Sequence, residues 1–103
     1  DWAQIELLYR SLEQLTPSPV ITLNRGVAVN KVSGPAAALD LIEPLASQLS
    51  SYFYFHGVRG ALLMQLHRTA DARTAFDRAI ALANTAAEAA HIRMQLDKLQ
   101  GVK

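Results

Sequence analysis

Apolar residues recur at steps of three and four along most of the chain, a spacing that predicts amphipathic helices. The first stripe predicts a helix over residues 1 to 15. The motif Thr16-Pro17-Ser18-Pro19 then ends one helix and begins another, because Ser18 can cap a helix and Pro19 suits its first turn. The second predicted helix, residues 19 to 32, is apolar around most of its circumference, so we expect other helices to cover it on more than one side.

Four more helices are predicted after Gly34, which stops the second helix. They span residues 35 to 47, 51 to 67, 70 to 83 and 86 to 99, with Gly101 as the final stop. The third should be strained or broken near Pro44, which lacks a backbone N–H donor. The aromatic run at residues 52 to 55 is compatible with a strand when read alone, but the repeat described next and the Ala/Leu/Met-rich continuation favour a helix.

The chain repeats itself, since residues 25 to 47 lie over residues 59 to 81 without a gap at a shift of 34. A 34-residue period of paired helices is the tetratricopeptide period, and each such unit buries its apolar face against a neighbour. The sequence therefore predicts an all-α fold in one domain over residues 1 to 103. Its expected architecture is a tetratricopeptide-like stack of about six antiparallel helices, wound as a right-handed superhelix; the alternative is an irregular helical bundle.

The repeat can be checked at the positions where paired helices approach closely. Small side chains are needed at such contacts, and a bulky one must fill the remaining gap. The second unit fits the tetratricopeptide pattern well, whereas the first has Leu45 where a small residue is expected. The matching residues are Gly60, Leu63, Ala72, Phe76 and Ala79 in the second unit, and Gly26, Val29, Ala38 and Ile42 in the first.

Composition and charge limit the possible functions. Half of the residues are hydrophobic and the formal net charge is +1, so the chain provides no strong field for phosphate backbones or anionic lipids. We therefore expect no direct nucleic-acid contact and no membrane association. Cysteine is absent, which excludes disulfides and thiolate metal sites and permits an intracellular location. Because the chain does not begin with Met, we expect it to be a piece of a longer protein.

No catalytic motif is present in the sequence. His56, His67 and His91 form no recognisable ligand or acid–base pattern, and there is no glycine-rich phosphate loop. We therefore expect no enzymatic activity, no metal, no cofactor and no small-molecule substrate.

A protein-binding role is the better hypothesis. In a tetratricopeptide register, the first helices of successive units line an inner face that is mildly basic and suits a peptide or helix with some negative charge. The alternative is that the first or last helix of the chain covers this face. The residues expected on the face are Asn30, Lys31, Tyr54, Met64, Gln65, His91, Gln95 and Lys98.

Arginine recurs at one repeat position, at Arg25, Arg59 and Arg93. These side chains would form a ladder along one side of the stack. Each could brace neighbouring helices by pairing with a carboxylate or capping carbonyl groups, or could recruit an acidic partner. The sequence leaves both roles open.

Several segments resemble one family. The most specific is Thr16-Pro17-Ser18-Pro19-Val20 followed by Leu23-Asn24-Arg25. Together with residues 1 to 5, Leu8-Tyr9, residues 26 to 29, Arg59, Leu62-Leu63 and residues 79 to 82, it resembles the C-terminal extension of a group of bacterial extracytoplasmic-function RNA polymerase sigma factors. That extension is tetratricopeptide-like and follows the two sigma domains. The chain departs from it at Gly26, where Ala is usual, and at His67-Arg68, which replaces a common Gly-Arg turn.

The resemblance implies a regulatory or bracing module that acts in transcription initiation in the cytoplasm. Its partners would be proteins: its own sigma domains, RNA polymerase or a regulator. DNA would be bound by sigma domains upstream of this segment. A free-standing helical adaptor that scaffolds unrelated proteins is the alternative.

Overall fold

The chain is folded into helices in a computed structural model, which describes residues 1 to 101 and the side chains of residues 1 to 99. No strand occurs among the described residues, so the all-α prediction is confirmed. The helices are α1 (Trp2–Leu15), α2 (Pro19–Ser33), α3 (Pro35–Ile42), α4 (Phe53–Gln65), α5 (Thr69–Leu82) and α6 (Ala86–Gly101), and a short 3-10 helix (Glu43–Leu45) follows α3.

Side chains cap the starts of three helices. The carboxylate of Asp1 accepts a hydrogen bond from the Ala3 N–H at 3.0 Å, and the Ser18 hydroxyl accepts one from the Val20 N–H at 3.2 Å. At α6, the Thr85 hydroxyl accepts from the Glu88 N–H while the Glu88 carboxylate accepts from the Asn84 N–H, which is close to a capping box. These caps satisfy N–H groups that have no partner within the helix.

Two predicted helices are longer than the observed ones. The third predicted helix becomes 3-10 from Glu43, because Pro44 cannot donate the next hydrogen bond. The fourth begins at Phe53 because Tyr52 is extended, with φ −99° and ψ 112°. It ends at Gln65 because His67 adopts a left-handed conformation with φ 60°. Helix α6 is described as far as Gly101, its predicted stop, and the residues that follow lie outside the described part.

The backbone contacts divide the chain into two compact units, one covering Asp1–Leu49 and the other starting at Ser50. In the first unit, α2 packs against both α1 and α3, which confirms that α2 is covered on more than one side. In the second unit, α5 packs against α4 and α6. The fully buried large side chains are Leu23 and Ile42 in the first unit and Phe55, Leu63 and Phe76 in the second.

Equivalent contacts join α2 to α3 in the first unit and α4 to α5 in the second. A Cβ atom built on Gly26 would lie 2.6 Å from Ile42 Cγ2, and one built on Gly60 would lie 2.5 Å from Phe76 Cε1. Gly60 and Phe76 each follow their counterparts by 34 residues. The predicted role of these glycines in close packing is therefore confirmed at both sites, since each leaves room for a buried large side chain.

Helix α1 differs from the others because none of its residues is buried. Ile5, Glu6, Tyr9 and Glu13 are half-buried, whereas several leucines on the same helix are exposed. The apolar stripe that predicted α1 is therefore only partly covered. Among residues 1 to 101, no helix has the length and apolar character needed to span a bilayer.

Candidate protein-binding site

Arg25 is the centre of a polar cluster between α1 and α2. Its Nε donates to Glu6 Oε2 at 3.0 Å and its Nη1 donates to Glu13 Oε1 at 2.9 Å. The Thr22 hydroxyl donates to the other oxygen of Glu13 at 2.6 Å, and Arg10 pairs with Glu6 at 2.9 Å. One guanidinium thus holds two carboxylates that lie two turns apart on α1.

The environment of Arg25 keeps it charged. Its partial burial would by itself lower the pKa of the guanidinium, but the hydrogen bonds to Glu6 and Glu13 and the charges of these carboxylates outweigh that effect and raise the pKa. Arg25 therefore remains a cation at neutral and moderately alkaline pH. Its contact with α1 is a charge-assisted one.

The three arginines of the expected ladder have different surroundings. Arg25 braces two helices of the first unit, which is one of the two roles that the sequence left open. Arg59 on α4 is half-buried, and Arg93 on α6 is exposed and has no ion-pair partner within the described side chains. Recruitment of an acidic partner by Arg59 and Arg93 stays a prediction.

The two face residues predicted in the first unit lie near the C-terminal end of α2. Lys31 is exposed, and its Nζ lies 5.8 Å from the centre of the Trp2 ring on α1, a cation–π distance. The side-chain oxygen of Asn30 is buried and accepts no hydrogen bond from any described residue. Lys31 thus contacts α1, which agrees with the alternative hypothesis that the first helix covers part of the predicted face.

In the second unit, two of the predicted face residues meet in an open hollow of about 250 Å³. Met64 on α4 and Lys98 on α6 line it together with His67, Thr69 and Leu99. Leu99 is buried at 8 % exposure, and Lys98 is exposed with no ion-pair partner among the described residues. The hollow therefore combines an apolar floor with a cationic rim, which suits an apolar side chain next to a carboxylate.

Sequence reasoning missed three residues of this hollow. His67 belongs to the turn between α4 and α5, Thr69 is the first residue of α5, and Leu99 lies beside Lys98 on α6. The departure from the common Gly-Arg turn at His67-Arg68 was the available signal, because it places a side chain where glycine usually leaves none. The predicted inner face contains residues of the first helix of each repeat only, so it does not include the turn between α4 and α5.

The remaining face residues are distributed along α4 and α6. Tyr54 is 39 % exposed and forms an edge-on pair with Tyr52, with ring centres 6.3 Å apart. Gln65 and His91 are exposed, and Gln95 is half-buried. The structure thus supplies accessible polar and aromatic groups on both helices, while the hollow itself contains only Met64 and Lys98 of the predicted set.

The other candidates for chemistry are in structural contacts or apart from one another. His56 Nε2 donates to the Ser50 carbonyl at 2.8 Å, and Arg68 pairs with Asp71 at 2.9 Å. Within the part of the chain that the structure describes, His, Cys, Asp and Glu side chains form no group that could hold a metal ion.

Comparison with known proteins identifies a relative of similar sequence. The chain is similar to an uncharacterized protein of Rhizobium meliloti (strain 1021), with 67% identity over 99 residues. The match covers 96% of this chain but 23% of that protein, so the chain spans about a quarter of the length of this relative. No family model matches the chain, and no solved structure matches it.

Proposed function

We propose that the chain is a tetratricopeptide-like protein-interaction module without catalytic activity, of the kind that extends bacterial extracytoplasmic-function sigma factors. The observation that carries this proposal is the repeated contact of Gly26 with Ile42 and of Gly60 with Phe76 at a spacing of 34 residues. Such recurrence is typical of helical-repeat proteins, which use their surfaces to bind other proteins. In this proposal the module acts in the cytoplasm, and neighbouring sigma domains bind DNA.

The hollow of the second unit is the contact point that we assign to a partner. The Lys98 ammonium group at its rim has no carboxylate partner among the described residues, and Met64 offers an adaptable apolar surface. A peptide that inserts an apolar side chain and presents Asp or Glu beside it would satisfy both groups. Charge reversal by Lys98→Glu should therefore weaken binding. Arg73→Glu, at an exposed position of α5 that does not line the hollow, serves as the matched control.

The test of the sigma-factor role uses the longer Rhizobium meliloti relative. RNA polymerase binding and transcription are measured for that protein with and without the 99 residues that match this chain. We expect the intact relative to bind polymerase and the shortened one to differ in transcription. If transcription is unchanged by the deletion, the regulatory role is wrong.

The same experiment distinguishes the adaptor hypothesis from the sigma-factor hypothesis. Failure of both forms to bind polymerase would contradict the sigma-factor assignment. A protein partner that depends on Lys98 but is not polymerase would then support a free-standing helical adaptor.

A further inference from the structure

Helix α1 presents an apolar face that the described residues cover only in part. Leu8 is 65% exposed, Leu12 is 45% exposed and Leu15 is 80% exposed. These residues follow one another at steps of four and three, so they form a continuous stripe on one side of the helix. Such a stripe on a surface helix marks an interaction site when it exceeds scattered single residues.

The repeat explains why this face is apolar. At the same shift of 34, residues 1 to 15 lie over residues 35 to 49: Ala3, Leu7, Gln14 and Leu15 are identical to their counterparts, and Leu8 matches Ile42. A further shift of 34 places Leu8 at Phe76. Helix α1 is therefore equivalent to α3 and α5, the second helices of the two pairs.

The equivalent residues show what normally covers such a face. Ile42 and Phe76 are completely buried, and each lies against a glycine of the helix that precedes it, Gly26 or Gly60. Leu8 has the same repeat position but is exposed, as are Gln4 and Ser11, which match Ala38 and Leu45. Helix α1 thus has the repeat position of a second helix, but none of the described residues takes the place of the preceding first helix.

We propose that this face of α1, formed by Gln4, Leu8, Ser11, Leu12 and Leu15, binds an amphipathic protein helix that runs antiparallel to α1 with a glycine or alanine opposite Leu8. The proposal rests on the helical-repeat arrangement put forward above. It names the chemistry of a binding partner for the first unit, at a surface separate from the hollow of the second unit.

The charges of α1 support an apolar occupant. Glu6 and Glu13 are held by Arg25, and Arg10 pairs with Glu6. The exposed face itself contains only apolar and uncharged polar side chains, so it offers no charge to nucleic acid or to an acidic peptide. An uncharged apolar helix face is its complement, as it is for α3 and α5.

The test fuses a copy of residues 53 to 68 directly before Asp1 of the complete chain. Because Asp1 is equivalent to Thr69, this junction reproduces the natural connection between α4 and α5 and brings the copied glycine opposite Leu8. A matched control fusion has Gly60→Leu in the copy alone. The chain has no native cysteine, so Leu8→Cys in each protein reports accessibility through its rate of reaction with a thiol reagent.

We expect the first fusion to slow this reaction by about tenfold relative to the unfused chain, and the control fusion to leave it within about twofold. Equal rates in the two fusions would overturn the proposal. Sedimentation of the unfused chain tests whether a second copy of the chain occupies this face. A dimer that Leu8→Lys abolishes would also overturn the proposal. Neither result depends on Lys98 or on polymerase, so failure here is distinguishable from failure of the proposed function.

Discussion

At the residue scale, the two glycines of α4 have different surroundings. A Cβ atom on Gly60 would lie within 2.5 Å of the buried Phe76 ring, whereas one on Gly57 would lie 3.5 Å from Ile92 Cδ1, an ordinary contact distance. Both positions are helical, so alanine gains the same helix propensity at each. The difference between the two substitutions isolates the packing contribution.

We expect Gly60→Ala to lower the free energy of unfolding by about 1–3 kcal/mol, because the ring of Phe76 is enclosed and cannot move away without strain. Gly57→Ala should raise it by up to about 1 kcal/mol. Urea denaturation followed by circular dichroism measures both. Equal effects of the two substitutions would contradict the close contact between α4 and α5.

His67 forms the turn that ends α4. Its N–H donates to the Met64 carbonyl at 3.0 Å and the Arg68 N–H donates to the Leu63 carbonyl at 2.9 Å, which is the Schellman arrangement. Glycine is usual at the left-handed position of this motif, yet His67 occupies it with φ 60°. Because histidine has a side chain and glycine has none, the residue at this position lines the hollow.

His67→Gly should therefore stabilise the fold by about 1 kcal/mol, since glycine lacks the Cβ that makes the left-handed region costly. His67→Ala is the control, because it removes the imidazole and keeps the Cβ, and it should give no stabilisation. Thermal unfolding of the three proteins measures the effect. If alanine stabilises as much as glycine does, the backbone conformation is not the cause.

At the element scale, a cluster of charge-assisted hydrogen bonds joins α1 to α2. Arg25 binds Glu6 and Glu13 with side chains that are 21%, 13% and 21% exposed. Hydrogen bonds to charged groups in such partly buried positions contribute more than exposed surface pairs do. The attachment of α1 should therefore depend on one arginine.

Arg25→Ala should lower the free energy of unfolding by about 2 kcal/mol, because it leaves Glu13 without a cation and Glu6 with Arg10 alone. Arg93→Ala, at the equivalent repeat position but exposed, should change it by less than about 0.5 kcal/mol. Denaturation of both variants in low salt measures the difference, and equal effects would contradict the bracing role of Arg25.

The pH dependence of this contact follows from the raised pKa of Arg25. A pKa that is higher in the folded state gives stability that is fully present below the unfolded pKa and is lost only as the pH rises through the folded one. The difference between Arg25→Ala and the parent protein should thus be the same at about pH 7 and about pH 9. A difference that declines over this interval would contradict the assignment.

At the scale of the whole molecule, stability should vary along the chain. Helix α1 has no buried residue, whereas α5 contains Ala72, Ala75, Phe76 and Ala79, all 2 % exposed or less. Local opening costs least where few apolar groups are buried.

Amide hydrogen exchange should therefore show faster exchange across α1 than across α5 under native conditions. In Arg25→Ala, the exchange of α1 should accelerate further while that of α5 stays unchanged. Uniform protection of all helices would mean that the chain opens only as a whole and would contradict this expectation.

Much of the fold could be predicted because local rules act on neighbouring residues. Ser18 and Pro19 start α2, Gly34 ends it with φ 92°, and Pro44 stops regular α-helix wherever its neighbours lie. Thr85 and Glu88 have the spacing of a capping box, which is another local signal for the start of a helix. The predicted and the observed helices differ at ends such as Tyr52 and His67, where a single backbone angle decides.

By itself, the sequence determined the helices, their 34-residue repetition and the small residues at their crossings, because these depend on local propensity and periodicity. Only the tertiary structure decided which surfaces are covered. It assigned Arg25 to two carboxylates of α1, brought Met64 and Lys98 into one hollow, and left Leu8 exposed while burying its counterpart Ile42. Periodicity identifies the apolar side of a helix, but burial depends on whether another helix lies against it.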